Sequence, residues 1–116
     1  MPRNYEFAGQ TYPLEKLTPK LQEKYPESVK FNEKGFPDFS PYAFCEVEIQ
    51  YTGDRSDDFD LANKAAGFEV TPEGYSWHHH ENATMLQLVP TDLHKAIAHT
   101  GGCATSGLDY NGERND

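Results

Sequence analysis

All five histidines of the chain lie between positions 78 and 99, in a pattern of two short strands followed by a helix. Three are consecutive, at 78–80, and His94 and His99 follow in the next predicted helix. Imidazole is the commonest metal ligand and a natural base near neutral pH. This clustering favours a fold in which strands and helix pack around one site, and it predicts metal-assisted hydrolysis there.

The spacing of the histidines limits which of them can share a metal ion. Adjacent strand residues point to opposite sides, so His78 and His79 are not expected to bind one ion. One could bind the metal while the other faces the attacking water. His94, in the first turn of the helix, is expected near His78. His99 lies about 140° further around an ideal helix, so it joins His94 only if the helix loosens before Gly101.

The N-terminal half contains several local folding signals. Aromatic residues alternate with others over residues 5–14 and predict a small hairpin. Thr18 followed by Pro19 predicts an N-cap and a short helix to about Lys24. Apolar and polar residues alternate over 43–51, which predicts the clearest strand of the chain.

The following segment predicts a helix that Ser56 caps, with Asp57 and Asp58 favourable in its first turn and Gly67 as its stop. Asn63 is unusual inside a helix, so it either orients a neighbouring side chain or faces water. Trp77 is expected in the core, as a wall of the site.

Two strands, at 75–78 and 85–89, then precede a last helix that starts at Pro90-Thr91 and ends at Gly101-Gly102. We therefore expect one α+β domain over residues 1–102. It would contain an N-terminal hairpin and helix, a central strand and a C-terminal ββα unit over about 68–102. Residues 103–116 have little to bury and are expected to form a loosely ordered tail.

Other features of the sequence exclude some classes of protein. No run of 18 apolar residues is present, so no membrane association is expected. The N-terminus has no apolar stretch typical of a secretory signal, and Cys45 and Cys103 have no metal-type spacing.

The charge balance is acidic, with 19 Asp and Glu against 10 Lys and Arg and a net charge of −9. Phosphate binding normally relies on Lys and Arg, so this balance argues against strong general binding of nucleic acid. An acidic surface can reduce non-specific binding or recognise a basic partner.

The motifs around the histidines occur in a characteristic order: Gly74 to His80, Met85 to Pro90, Leu93-His94 and His99 to Gly102. Further motifs precede them at 36–42, 52–55, 58–59 and 62–67. Together, over roughly residues 36–102, they resemble the WHH family of the HNH nuclease superfamily. The resemblance implies that the C-terminal unit is an HNH-like ββα-metal finger.

The resemblance also implies roles for individual histidines. His78 is similar to the first metal ligand of the finger, and His79 to the general base. His94 is similar to the final helical ligand, and His99 is a possible further one. The ion would be a divalent metal, zinc or magnesium.

The central asparagine of the HNH pattern is absent, because its place falls near Met85. Asn82 or Gln87 could replace it in steadying His79. Arg55 resembles an arginine that reaches the substrate backbone, but a surface ion pair with a neighbouring aspartate is an equal alternative. Lys95 is a second candidate for substrate binding, although a helix lysine is more often only solvated.

As a function, the resemblance implies a metal-dependent endonuclease toxin used in competition between bacteria, with DNA preferred over RNA as substrate. Such a domain would be secreted or delivered within a larger toxin, act in the cytoplasm of the target cell, and be blocked by a cognate immunity protein. Two alternatives stay open. A ribonuclease toxin would cut RNA with less dependence on metal. A non-enzymatic, zinc-stabilised interaction module would unfold when metal is removed.

Overall fold

The computed structural model of the protein describes residues 5–97. Within that range the fold is α+β, as predicted, with three α-helices and two small sheets. The helices are α1 (Pro19–Lys24), α2 (Arg55–Ala66) and α3 (Thr91–Ile97). The strands are β1 (Lys30–Phe31), β2 (Pro37–Asp38), β3 (Cys45–Glu48), β4 (Tyr75–His79) and β5 (Met85–Pro90). No helix between residues 5 and 97 is long and apolar enough to cross a membrane.

The larger sheet is antiparallel and three-stranded, in the order β3-β5-β4. The strand predicted over 43–51 is shorter than expected and lies at the edge, whereas β5 is central. Glu46 of β3, Gln87 of β5 and His78 of β4 are in register across the sheet. α3 follows β5 directly, so β4, β5 and α3 form the predicted ββα unit.

Each face of this sheet packs against a different layer of the protein. On one face, Trp77, Leu86 and Leu88 form a buried cluster with Ala62 of α2. On the other, Val89 packs with α3 and with the N-terminal segments, in a second cluster that also contains Leu17, Tyr25, Val29, Phe31, Phe39, Leu93 and Ile97. Because strand residues alternate between faces, neighbouring residues of β4 enter different layers.

The predicted hairpin over residues 5–14 is wrong. Residues Tyr5–Phe7 and Leu14–Lys16 form short 3-10 turns. The segment between them pairs with residues 29–32: Gly9 N donates to Asn32 O at 2.9 Å, and Tyr12 N donates to Val29 O at 2.7 Å. The alternation therefore reflects pairing with a later segment and not a turn back on itself. The hairpin of this region is β1–β2.

The ends of α1 and α2 follow local chemistry. α1 has the predicted bounds, and Thr18 Oγ1 accepts a hydrogen bond from Leu21 N. The predicted cap of α2 is wrong, because Asp54 and not Ser56 is its N-cap, with its side chain accepting from Asp57 N at 2.9 Å. Gly67 ends α2 as predicted, in the left-handed conformation with φ of 83°.

Three predictions fall outside the described residues. They are the position of His99, the end of the last helix at Gly101-Gly102 and the tail at 103–116.

Candidate active site

His78 and His94 lie side by side between β4 and α3. Their ring centroids are 5.3 Å apart, with an angle of 71° between the ring planes. Each side chain is almost completely buried. Phe39 contacts both rings, at centroid distances of 5.0 Å from His78 and 5.7 Å from His94. The strand and the helix therefore bring together the two histidines that were predicted to lie close.

The spacing of this pair fits two ligands of one metal ion. A tetrahedral ion held by two imidazoles through bonds of about 2 Å has ring centroids about 5 Å apart. Among residues 5–97, no group of three or more His, Cys, Asp or Glu side chains is placed to hold a metal. Zinc sites usually use three or four protein ligands, so the pair accounts for part of a coordination shell.

Gln87 lies next to His78 on the same face of the sheet and is completely buried. Its Nε2 donates to Glu46 Oε2 at 2.6 Å and approaches Ser40 Oγ at 3.3 Å. These contacts hold the amide over β3, on the face opposite to that of His79. Gln87 therefore does not take the place of the HNH asparagine in steadying His79.

His79 enters the layer of α2 and has no exposed surface. Its Nε2 lies 3.0 Å from Asp58 Oδ2, and this carboxylate is also fully buried. The ring contacts two aromatic side chains, with Tyr51 edge-on at 4.9 Å and Phe59 at 5.5 Å between centroids. The predicted separation of His78 and His79 on opposite faces is thus observed. The assigned role of His79 as a base stays a prediction.

The surroundings of His79 favour its neutral form. Desolvation by burial lowers the pKa of the imidazole, and the nearby charge of Arg55 lowers it further. The hydrogen bond and the negative charge of Asp58 act in the opposite direction but do not cancel the effect of burial. A neutral imidazole near pH 7 is the form that can accept a proton.

His80 and Asn82 lie in the tight turn between β4 and β5. His80 Nδ1 accepts from Asn82 N at 3.1 Å, and Asn82 Oδ1 accepts from Thr84 N and Met85 N. Asn82 therefore shapes this turn and is not the partner that holds His79.

Asn63 was predicted either to orient a neighbouring side chain or to face water, and its contact with Trp77 confirms the first alternative. Trp77 is buried, as predicted, and its Nε1 donates to Asn63 Oδ1 at 2.8 Å. Asn63 Nδ2 in turn donates to Thr71 Oγ1 at 3.0 Å. The asparagine is buried and orients the tryptophan that precedes His78.

The two predicted substrate contacts, Arg55 and Lys95, lie on helices packed against opposite faces of the sheet. Arg55 opens α2, is only 9% exposed and has its guanidinium 6.0 Å from the ring centroid of Phe59. Lys95 is exposed and lines an open cavity of about 740 Å³ together with Lys24, Tyr25, Tyr42, Tyr75 and Asp92. The structure does not bring these two side chains together.

Asp58 is the site residue that sequence reasoning missed. Its position in the first turn of α2 was interpreted through the helix dipole and, as an alternative, through an ion pair with Arg55. The contact with His79 spans 21 residues along the chain, and no local pattern indicates it. The motif Asp58-Phe59 was part of the family resemblance, and both of its residues contact His79.

Comparison with known families agrees with this arrangement. The model of the WHH family, a nuclease of the HNH/ENDO VII superfamily with conserved WHH, matches residues 67–107. The match agrees with the predicted resemblance, and the matched segment contains β4, β5 and α3, whose order is compatible with an HNH-like nuclease fold. It does not extend over the upstream motifs at 36–66. No curated protein matches the chain.

Proposed function

Since the WHH match over residues 67–107 indicates a nuclease, we propose that the protein is a metal-dependent endonuclease that hydrolyses phosphodiester bonds in DNA. The observation that carries the proposal is the pairing of His78 with His94, at 5.3 Å between ring centroids. The residue after His78 in β4 is His79, whose ring contacts the carboxylate of Asp58.

In this proposal His78 and His94 hold the ion, and His99, outside the described residues, is a further ligand. When bound, such an ion would polarise the phosphoryl oxygen of the substrate and lower the pKa of a water molecule. Two imidazoles are donors that suit zinc better than magnesium, which prefers oxygen ligands. Burial of both rings limits the access of bulk water to them.

His79 is the proposed general base. Its Nδ1 takes a proton from water while the water oxygen bonds to phosphorus. The bond from phosphorus to the leaving oxygen breaks, and that oxygen takes a proton from solvent. The imidazolium then returns its proton to solvent. Because the ring has no exposed surface, this role requires water to reach the buried imidazole.

Arg55 and Lys95 are the proposed substrate contacts. Lys95 is the better placed of the two, because it is exposed and follows His94 directly in α3. The net charge of −9 limits long-range attraction to a polyanion. We therefore expect affinity to rest on a few local contacts, with weak binding of nucleic acid elsewhere on the surface.

The biological role that we propose is that of a toxin domain delivered within a larger secreted protein into the cytoplasm of a competing cell. The family resemblance supports this role, and it implies an immunity protein in the producing cell. The acidic surface would suit an immunity protein with basic patches. Purification with the product of the neighbouring gene tests this partner, and no binding at micromolar concentration would contradict it.

Cleavage of plasmid DNA and of a structured RNA by the purified chain, with and without EDTA, tests the activity. We expect DNA to be cut only with divalent metal, and His78→Ala and His94→Ala to abolish cutting. His80→Ala is the matched control, because His80 belongs to the same histidine run but lies in the turn. Cutting of RNA alone, unaffected by EDTA, would instead indicate the ribonuclease. Unfolding without metal and no cleavage at all would indicate the interaction module.

A further inference from the structure

We propose that Asp58 is a positioning residue that fixes the tautomer and orientation of His79, so that Nδ1 is the nitrogen that accepts the proton. The inference rests on the proposed function, because it assigns a partner to the proposed base. Asp58 lies upstream of residues 67–107, the segment that the family model matches.

The first step is that both oxygens of the Asp58 carboxylate are engaged. Oδ1 accepts hydrogen bonds from Thr52 N and Thr52 Oγ1, each at 2.8 Å. Oδ2 lies 3.0 Å from His79 Nε2. The carboxylate is fully buried, in the first turn of α2, where the helix dipole favours a negative charge. Burial alone disfavours the charge, whereas the hydrogen bonds from Thr52 and the helix dipole favour the ionised carboxylate.

The second step concerns the proton on the imidazole. An ionised carboxylate can only accept hydrogen bonds, so His79 Nε2 must carry the proton that it donates to Asp58. In a neutral imidazole the other nitrogen then has the lone pair. The contact with Asp58 thus selects Nδ1 as the basic atom.

The third step concerns the orientation of the ring. Tyr51 packs edge-on against His79, with 89° between the ring planes, and Phe59 also contacts the imidazole, with 41° between the ring planes. Asp58 and Phe59 are consecutive residues of α2, so one helix turn supplies both a hydrogen bond and a packing contact. The imidazole is therefore restrained against the flip that would exchange its two nitrogens.

The consequence for catalysis is twofold. A base that is already in the correct tautomer needs no rearrangement before it accepts a proton. The buried negative charge of Asp58 also stabilises the imidazolium that forms, as an opposite charge does at short distance. If Asp58 merely tied α2 to β4, its loss would change stability and leave the tautomer of His79 unchanged.

The test uses the full chain and the substitution Asp58→Asn. The amide keeps the shape of the carboxylate, but its NH₂ group can donate to Nε2 and so favour the opposite tautomer. Asp57→Asn is the matched control, because it removes the same charge from the same helix turn at an exposed position. Nitrogen-15 NMR of histidine-labelled protein without metal reports the tautomer, and the spectrum of His79→Gln assigns the signals.

We expect the Nε2–H tautomer of His79 in the wild-type protein and in Asp57→Asn, and the Nδ1–H tautomer in Asp58→Asn. With metal and DNA, Asp58→Asn should lower kcat by about 10²-fold or more, with little change in KM. An Nδ1–H tautomer in the wild-type protein would overturn the inference, and this measurement needs no variant to fold. An unchanged kcat in Asp58→Asn, where His79→Ala is inactive, would also overturn it and leave the proposed function intact. Absence of cleavage by the wild-type protein would instead be a failure of the proposed function.

Discussion

Trp77 Nε1 donates a buried hydrogen bond of 2.8 Å to Asn63 Oδ1. This bond joins β4 to α2 at the residue that directly precedes His78. Asn63→Ala would leave the buried indole N–H without its acceptor. We expect a loss of about 1–3 kcal/mol in the free energy of unfolding, measured with urea. In a Trp77→Phe background the same substitution should cost clearly less, because the buried indole N–H is absent there. Equal losses in both backgrounds would show that the bond contributes little.

Metal binding should depend on His78 and His94 and stabilise the folded state. Zinc in excess should raise Tm, because a ligand that binds only the folded form stabilises it. His78→Ala and His94→Ala should each weaken zinc binding by about 10²-fold or more, measured by titration calorimetry. His80→Ala should bind zinc as the wild type does. Loss of zinc affinity in His80→Ala, together with unchanged affinity in His94→Ala, would argue against His78 and His94 as the ligands.

Asp92 connects α3 to α1, and its contribution to stability should depend on pH. Burial alone would raise the pKa of its carboxyl group, but hydrogen bonds from Lys24, from Tyr25 OH and from Leu93 N outweigh this effect and lower the pKa. The stabilisation is therefore present above the unfolded pKa of about 4 and is lost as pH falls through the folded value.

Asp92→Asn should accordingly destabilise the protein at pH 7, by at most about 1 kcal/mol because the carboxylate is 40% exposed to solvent. At pH 3 the difference from the wild type should be smaller, as urea unfolding at both pH values will show. Asp60→Asn, at an exposed position of α2, is the control. A destabilisation by Asp92→Asn that grows as the pH falls would contradict the lowered pKa of the Asp92 carboxyl group.

Gly67 ends α2 with φ of 83°, and an added Cβ would meet nothing within 4 Å. Gly67→Ala should therefore cost about 1 kcal/mol through backbone strain alone, seen as a lower Tm. Gly67→Asn should cost less, since asparagine tolerates the left-handed conformation better. Equal effects of both substitutions would point to a cause other than this backbone conformation.

Lys95 should contribute to binding of DNA and not to the chemical step. Lys95→Ala is expected to raise KM for DNA with kcat unchanged. It should also reduce the slope of log binding constant against log salt concentration by about the amount that one phosphate contact contributes. Lys64→Ala, which removes an exposed lysine of α2, is the control. Identical behaviour of the two variants would remove Lys95 from the substrate contacts.

The sequence alone was sufficient for most features that depend on neighbouring residues, although it placed the N-cap of α2 at Ser56 instead of Asp54. Thr18 and Pro19 start α1, and Gly67 ends α2, because caps and left-handed stops act within one turn. The alternation of side chains on a strand predicts that His78 and His79 lie on opposite faces of the sheet, as observed. The closeness of His94 to His78 followed from a helix that continues directly from the second strand.

Only the tertiary structure could decide contacts between segments far apart in the chain. The alternation that predicted a hairpin belongs to a segment in which residues 9–12 pair with residues 29–32. Asp58 meets His79 because α2 packs on the face of the sheet opposite to α3, and the choice of face depends on how the buried apolar clusters fit together. Hydrogen-bonding capacity can be read from residue types, but the partner that satisfies it in the interior is selected by packing of the whole chain.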